Sequence, residues 1–401
     1  MLKKFLSRFI RRNHHWRDIG FDELTELYTS MMFRSLAMSL VGIFIPVYLY
    51  QLGHEIWEIL FFYSIVFMTQ LFGTVTAAFV IAKIGPKHTI LLSFIAQSFS
   101  MVGLIALNSK EFPLFPIAMC IGIANSFFFT AFHVDFSKIK HNTHGGNEVG
   151  WIYIMQKVGA VIGPIVGGIV AYLFGSQFIF IAALVLLFVG VIPLMLTSEP
   201  TKLGQKLHWN INLGKIKHDL LSSAALNLEN TISVMVWPMF VGIMIFTENP
   251  YIQLGSVVSV SILASIFVAR GIGKFVDNRK GRTLLRFSLI SNAVLHLFRP
   301  FLNGFPSVLA MNIVNEGVTL GYTIPYMKGM YNAADEHPGY RIVYIAAMEF
   351  AGSFSRMIFY TIATVCAITL SSGLPLFIGI FIVAALASLA VMGERFSALK
   401  Q

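Results

Sequence analysis

The amino-acid sequence predicts an all-α membrane protein of twelve transmembrane helices, arranged as two six-helix bundles related by a pseudo-twofold axis along the membrane normal. Three observations carry that expectation. Charge is scarce, with Asp, Glu, Lys and Arg making up 12% of 401 residues while 56% are hydrophobic; soluble domains carry about 25% charged residues. Mean hydropathy is +0.74. Apolar stretches of roughly 20 residues, the length that crosses hydrocarbon, recur along the whole chain. The second half also repeats the first.

The apolar spans fall at about 28–52, 56–82, 88–108, 112–136, 148–174, 177–197, 219–246, 251–276, 283–303, 305–332, 341–370 and 374–393. When the N-terminus, the even-numbered loops and the C-terminus share one side, that side holds 23 of the 29 Lys and Arg. The opposite side holds Lys110 alone, and Arg34, Lys157, Arg270, Arg299 and Arg356 fall within spans. The positive-inside rule then places both termini in the cytoplasm of a multi-pass protein of the cell (plasma or inner) membrane. The net charge of +10 is read as topology, not as a nucleic-acid footprint.

Residues 1–20 precede the first span. Leu2, Phe5, Leu6, Phe9 and Ile10 recur at helical spacing with basic residues between them, as in an amphipathic helix on the inner leaflet. No apolar core or cleavage site of a signal peptide follows. Residues 21–197 form the first expected bundle and 219–396 the second. Residues 198–218, with Pro200, Lys202, Lys206, Lys215 and Lys217, are the cytoplasmic linker. Cys120 and Cys366 lie in apolar spans and read as small hydrophobes, with no disulfide, metal site or cofactor expected. GIGKF at 271–275 lacks the phosphate-loop spacing, and HEIWE at 54–58 lacks the second histidine of a zinc protease. A nucleotide-driven pump and an enzyme are both disfavoured, and a helix start suffices to explain HEIWE.

Four anchors define the repeat. Pro46 matches Pro238 at an offset of 192, and AFVIAKIGPKH from Ala78 matches GKFVDNRKGRT from Gly273 at 195. Gly122 matches Gly317 at 195, and MQKVG ending at Gly159 matches MEFAG ending at Gly352 at 193. Both copies start on the same side, so the repeats are parallel.

Residues 150–168, GWIYIMQKVGAVIGPIVGG, supply Gly150, Gly159, Gly163, Pro164, Gly167 and Gly168. With the twelve spans and the repeat, this stretch resembles the major facilitator superfamily, whose antiporter members carry G-x(8)-G-x(3)-G-P-x(2)-G-G on the fifth helix. The loop after the eighth span keeps Gly273, Asp277, Arg279, Gly281 and Arg282 of the family's cytoplasmic loop motif, with one extra residue. The first-half copy is degraded to Ala78, Ala82, Lys83, Gly85, Pro86 and Lys87 and lacks the aspartate. Ala118 stands where proton-coupled drug antiporters carry an arginine.

The glycines have a physical reading as well. Helices in lipid associate by close packing, which small residues permit. Gly159, Gly163 and Gly167 line one stripe of the fifth span, and Ser261, Ser265, Ala269 and Gly273 line a stripe of the eighth. Since the family sets these helices face to face, a close seam between them is expected, with a bend at Pro164.

An ionisable group at bilayer depth is a functional candidate by default. Glu229, Glu316 and Glu349 lie within spans seven, ten and eleven, and Arg356 follows Glu349 by seven residues. Arg34 and Lys157 are the basic groups of the first half. The repeat sets Arg34 opposite Glu229 and Lys157 next to the position matching Glu349, so pairing between these groups across the halves is expected. Glu229, Glu349, Arg356 and Lys157 are the candidates for proton coupling. The resemblance implies a central cavity lined by spans one, four, seven and ten. Their polar and aromatic residues are Arg34, Asn125, Asn227, Glu229, Asn230, Trp237, Asn312, Asn315, Glu316, Tyr322 and Tyr326. Asn292, His296 and Arg299 are expected to be peripheral or interfacial and not substrate contacts, and His133 and Asp135, at the cytoplasmic end of the fourth span, to be either a gate or residues solvated in the loop.

The function implied is secondary active transport of a small organic solute by alternating access, as a proton-coupled, multidrug-efflux-like exporter. Its partners would be the solute, protons and the lipid bilayer, without nucleic acid, and the protein would act as a monomer. Three alternatives stay open: a uniporter or symporter for a sugar, peptide or metabolite, a non-transporting sensor, and a lipid-moving member.

Overall fold

The computed structural model describes residues 21–107, 113–139, 145–195, 213–275, 281–335, 341–370 and 373–399, with four isolated positions between 204 and 209. The amphipathic helix expected over 1–20 lies outside the described residues, as does most of the linker. All twelve expected spans are helical. They are α1 (Phe21–Val41, continued as Ile45–Gln51), α2 (Ile56–Ile84), α3 (Pro86–Ala106), α4 (Phe115–Ile139), α5 (Gly145–Phe174) and α6 (Gln177–Leu194). The second set is α7 (Leu213–Ile245), α8 (Pro250–Phe275), α9 (Gly281–Phe298), α10 (Gly304–Asp335), α11 (Arg341–Thr369) and α12 (Leu374–Ala390). Among the described residues, nine helices are long and apolar enough to cross a membrane. Helices suit this solvent because they satisfy their own backbone polar groups.

Local chemistry fixes the breaks. HEIWE is a helix start: the Glu55 backbone N–H donates to Glu58 Oε2 at 2.8 Å in a capping box that opens α2. Between α2 and α3 the connection is Gly85 alone, at φ 88°, a backbone conformation that other residues adopt at a cost. Pro86 follows as the first residue of α3, where its missing N–H is harmless. This one-residue turn is what the degraded first-half loop motif builds.

The repeat-related prolines also mark breaks. α1 opens at residues 42–44, just before Pro46. α7 widens into π-helical turns at Ile232–Val236 and Val241–Ile245, on either side of Pro238. Proline donates no backbone hydrogen bond, so the ladder around it must rearrange.

The halves meet along α2–α11 and α5–α8. The second contact is close enough to exclude side chains. A β-carbon at Gly168 would lie 2.5 Å from the Tyr251 carbonyl oxygen, and one at Gly255 would strike the Pro164 carbonyl. The stripe of Gly159, Gly163 and Gly167, however, faces α1 and not α8. β-Carbons there would meet the Met32 carbonyl oxygen at 2.6 Å, Ser39, and the Leu40 carbonyl oxygen at 2.7 Å. The reason is rotation: residues spaced by four share one face, and the adjacent position 168 presents the face turned to the other half. On α8, Ser261 and Ser265 are buried and donate to their own helix, to the carbonyls of Val257 and Ile262. The side chain of Ala269 and the surroundings of Gly150 and Gly273 lie outside the described residues, as do Asp277 and Arg279.

Contacts between halves occur at both ends of the bundle. At the end bearing the α2–α3 turn, Phe136 packs on Tyr331 at 4.9 Å. At the other end, Tyr251 donates to Gln51 Oε1 at 2.8 Å, and Ser64 and Thr361 share a hydrogen bond of 2.7 Å.

Candidate functional site

The sequence places ionisable groups at mid-span, and the structure sorts them into three settings. The first is inside the second half. Glu229 on α7 is fully buried and accepts four hydrogen bonds. Oε1 takes Ser233 Oγ at 2.8 Å, Asn292 Nδ2 at 2.8 Å and His296 Nε2 at 3.0 Å; Oε2 takes the Tyr322 hydroxyl at 2.8 Å. Arg299 extends the network, with Nη1 at 3.1 Å from Ser233 Oγ and 3.0 Å from His296 Nδ1, and Nη2 donating to Asn315 Oδ1 at 2.9 Å. Trp237 lies under Arg299, its ring centroid 5.1 Å away, and donates to Asn312 Oδ1 at 2.7 Å. A buried charge is tolerable only when paired and hydrogen-bonded, and this one is both.

The second setting is between the halves. Lys157 of α5 is ion-paired with Glu316 of α10, both side chains about one-fifth exposed. His133 of α4 sits between two groups of the other half: Tyr331 at 2.7 Å from Nδ1 and Glu349 at 3.5 Å from Nε2. Arg356 turns back on α11, donating to the Gly352 carbonyl at 3.1 Å and to Ser353 at 3.3 Å, with Phe67 of α2 under it at 4.7 Å. The third setting is inside the first half. Arg34 donates to Asn125 Oδ1 at 3.3 Å and lies 3.6 Å from the Phe128 ring centroid.

Comparison with known proteins identifies the framework. Residues 27–360 match the family model described as Major Facilitator Superfamily. The chain belongs to the major facilitator superfamily. Solved structures of similar fold include a bacterial homologue of the iron transporter ferroportin, in an outward-facing state with soaked iron. It has TM-score 0.61 and 14% identity, over 92% of this chain and 97% of that one. The E. coli fucose:proton symporter FucP aligns with TM-score 0.63 and 11% identity, over 92% of this chain and 96% of that one. FucP in the outward conformation gives TM-score 0.63 and 12% identity, over 93% and 97%. At these identities the likeness is one of fold. No curated protein matches the sequence.

In this major facilitator fold the expected cavity residues do not form one group. Glu229, Trp237, Asn312, Asn315 and Tyr322 join the network within the second half, while Glu316 faces Lys157 and Arg34 joins Asn125. Asn227 donates to the Ser223 carbonyl at 3.0 Å and packs on Gly352. Tyr326 lies 3.4 Å from Ser222 and edge-on to Phe396, and Asn230 is exposed.

Three expectations are corrected. The expected Arg34–Glu229 correspondence produces no contact, because each is engaged inside its own half. Asn292, His296 and Arg299 are fully buried, not peripheral. Their spacing of four and three puts them on one face of α9, a signal present in the sequence. His133 and Asp135 are buried as well, because the other half covers the end of α4. Arg282, of the cytoplasmic loop motif, binds within its own half. It grips Glu394 at 2.9 and 3.3 Å, and Glu394 in turn accepts the Phe396 backbone N–H at 2.9 Å. Gly281 precedes it as the first residue of α9.

Proposed function

We propose that the chain is a secondary active transporter that exports a small organic solute by alternating access, in exchange for protons. The observation that carries this reading is the pair of contacts spanning the halves, the Lys157–Glu316 ion pair and His133 set 3.5 Å from Glu349, beside a seam made of backbone at Gly168 and Gly255. A rocking motion would part both contacts. Parting a carboxylate from its partner at bilayer depth leaves a charge uncompensated, and taking up a proton relieves it, so separation of the halves and proton uptake are coupled. Glu316 and Glu349 are the groups placed to do this. Glu229, with four donors inside one half, keeps its partners through the motion. The complete glycine–proline motif of α5 supports antiport. The six-helix bundles are 21–197 and 219–396, with the linker at 198–218 and both termini in the cytoplasm, and the unit is a monomer.

A second reading, a symporter or uniporter for a sugar, peptide or metabolite, is favoured by Ala118, fully buried where the antiporters carry arginine.

The test is reconstitution into liposomes with an imposed pH gradient and a panel of organic solutes. Solute-linked proton movement is expected in the wild type and its loss in Glu316→Gln and Glu349→Gln. Unimpaired proton movement in both variants would refute the coupling assignment. Inward co-movement of solute and proton would establish the symport reading instead.

A further inference from the structure

Among the described residues, three buried or half-buried cations within the spans have an acidic group near them and one does not. Arg299 lies in the field of Glu229, and Arg356 lies in that of Glu349. Lys157 has Glu316. Among the described residues, Arg34 has no acidic partner. The residue is 6% exposed. A guanidinium stays charged and carries five N–H donors. One donor goes to Asn125 at 3.3 Å, longer than the roughly 2.7–2.9 Å of a charge-assisted hydrogen bond. Phe128 covers one face of the guanidinium at 3.6 Å and Phe129 flanks it at 5.2 Å, and among the described residues Asn125 alone hydrogen-bonds its edge. The Asn125 amide Nδ2 beside that edge is a further donor.

Burying such a cation costs several kcal/mol unless an anion accompanies it, and the protein supplies none among the described residues. We propose that the counter-charge is the cargo. Arg34 and Asn125 form the anion-binding subsite of the transported solute, an organic anion bearing a carboxylate or phosphate on a compact apolar body. The planar fork of Arg34 takes two oxygens of the anion side by side, Asn125 adds a third donor, and the Phe129 ring lies against the apolar part. The inference rests on the transport reading for the word cargo; the binding subsite stands without it.

The test measures thermal unfolding of the purified chain in detergent against five probes: benzoate, phenylphosphate, inorganic phosphate, benzyl alcohol and benzylamine. A saturable rise in Tm is expected with benzoate or phenylphosphate and with neither the alcohol nor the amine. Arg34→Gln removes the shift. Arg34→Lys keeps the charge but loses the fork, and raises the probe Kd at least tenfold. Asn125→Ala raises it several-fold, and serves where Arg34→Gln fails to fold. A purely packing role for Arg34 would lower Tm without probe and leave the probe-induced rise intact, which would overturn the proposal. So would a shift with benzylamine or benzyl alcohol, a shift with inorganic phosphate and neither organic anion, or no shift with any probe. Proteoliposome flux separates the two readings. Anion binding without flux would defeat transport and leave the subsite standing. A cationic or neutral solute carried equally fast by Arg34→Gln would do the reverse.

Discussion

The two halves place opposite charges at matching positions and treat them differently. In the second half, Glu229 is closed in by Ser233, Asn292, His296 and Tyr322, with Arg299 completing the charge balance. In the first half, Arg34 has one long hydrogen bond and two phenyl rings. Duplication supplied the same frame twice. One copy closes its buried charge within a polar network, and the other leaves most of its guanidinium donors without a hydrogen bond among the described residues. The difference shows why depth in the membrane alone does not identify a working residue: its surplus of donors or acceptors does.

That contrast can be broken most forcefully at Glu229. Glu229→Ala leaves Arg299 buried without a counter-charge and His296, Asn292 and Tyr322 without their acceptor, and should cost about 3–5 kcal/mol, read as a loss of unfolding free energy in denaturant titrations of the micellar protein. A cost below that of an ordinary core truncation would mean the network is hydrated and not sealed. Next comes Gly168→Leu, where a side chain would press on the α8 backbone at Tyr251. Overpacking of about 1–3 kcal/mol and loss of solute flux are expected together. Gly163→Leu should instead strain α1 against α5 within the first half, so equal effects on flux per unit of lost stability would erase the distinction between seam and stripe. Tyr322→Phe removes one donor to a buried carboxylate and should cost about 1.5–3 kcal/mol with flux retained; abolished flux at full stability would move Glu229 into the transport cycle. Smallest is the Lys157–Glu316 coupling, which a double-mutant cycle should put at about 1.5 kcal/mol, since both side chains are largely buried between the halves.

The helices were legible because lipid imposes a simple demand, a run of apolar residues of fixed length, and the ends of α2 and α3 were marked by a capping box and a Gly–Pro turn. Charged partners were not legible to the same degree. Spacing along a helix tells which residues share a face but not which neighbour that face meets. The α5 glycines show this: their common stripe was evident, yet it turned out to face α1. Likewise Asn292, His296 and Arg299 announced a shared face of α9, and only the packing of α7 and α10 revealed that the face points inward at Glu229. The pairing of Lys157 with Glu316, and not with the vicinity of Glu349, depends on the same unread rotation.

One contact in the seam has a consequence for how the halves move. The Ile165 backbone N–H, just after Pro164, donates across the seam to Ser259 Oγ at 3.0 Å. One turn along α8 in either direction the hydroxyl would be replaced by Gly255 or Leu263, neither of which has an acceptor in its side chain. Under the proposed motion, a slide of the seam by one turn would break this hydrogen bond, whereas a pivot about Ser259 would keep it.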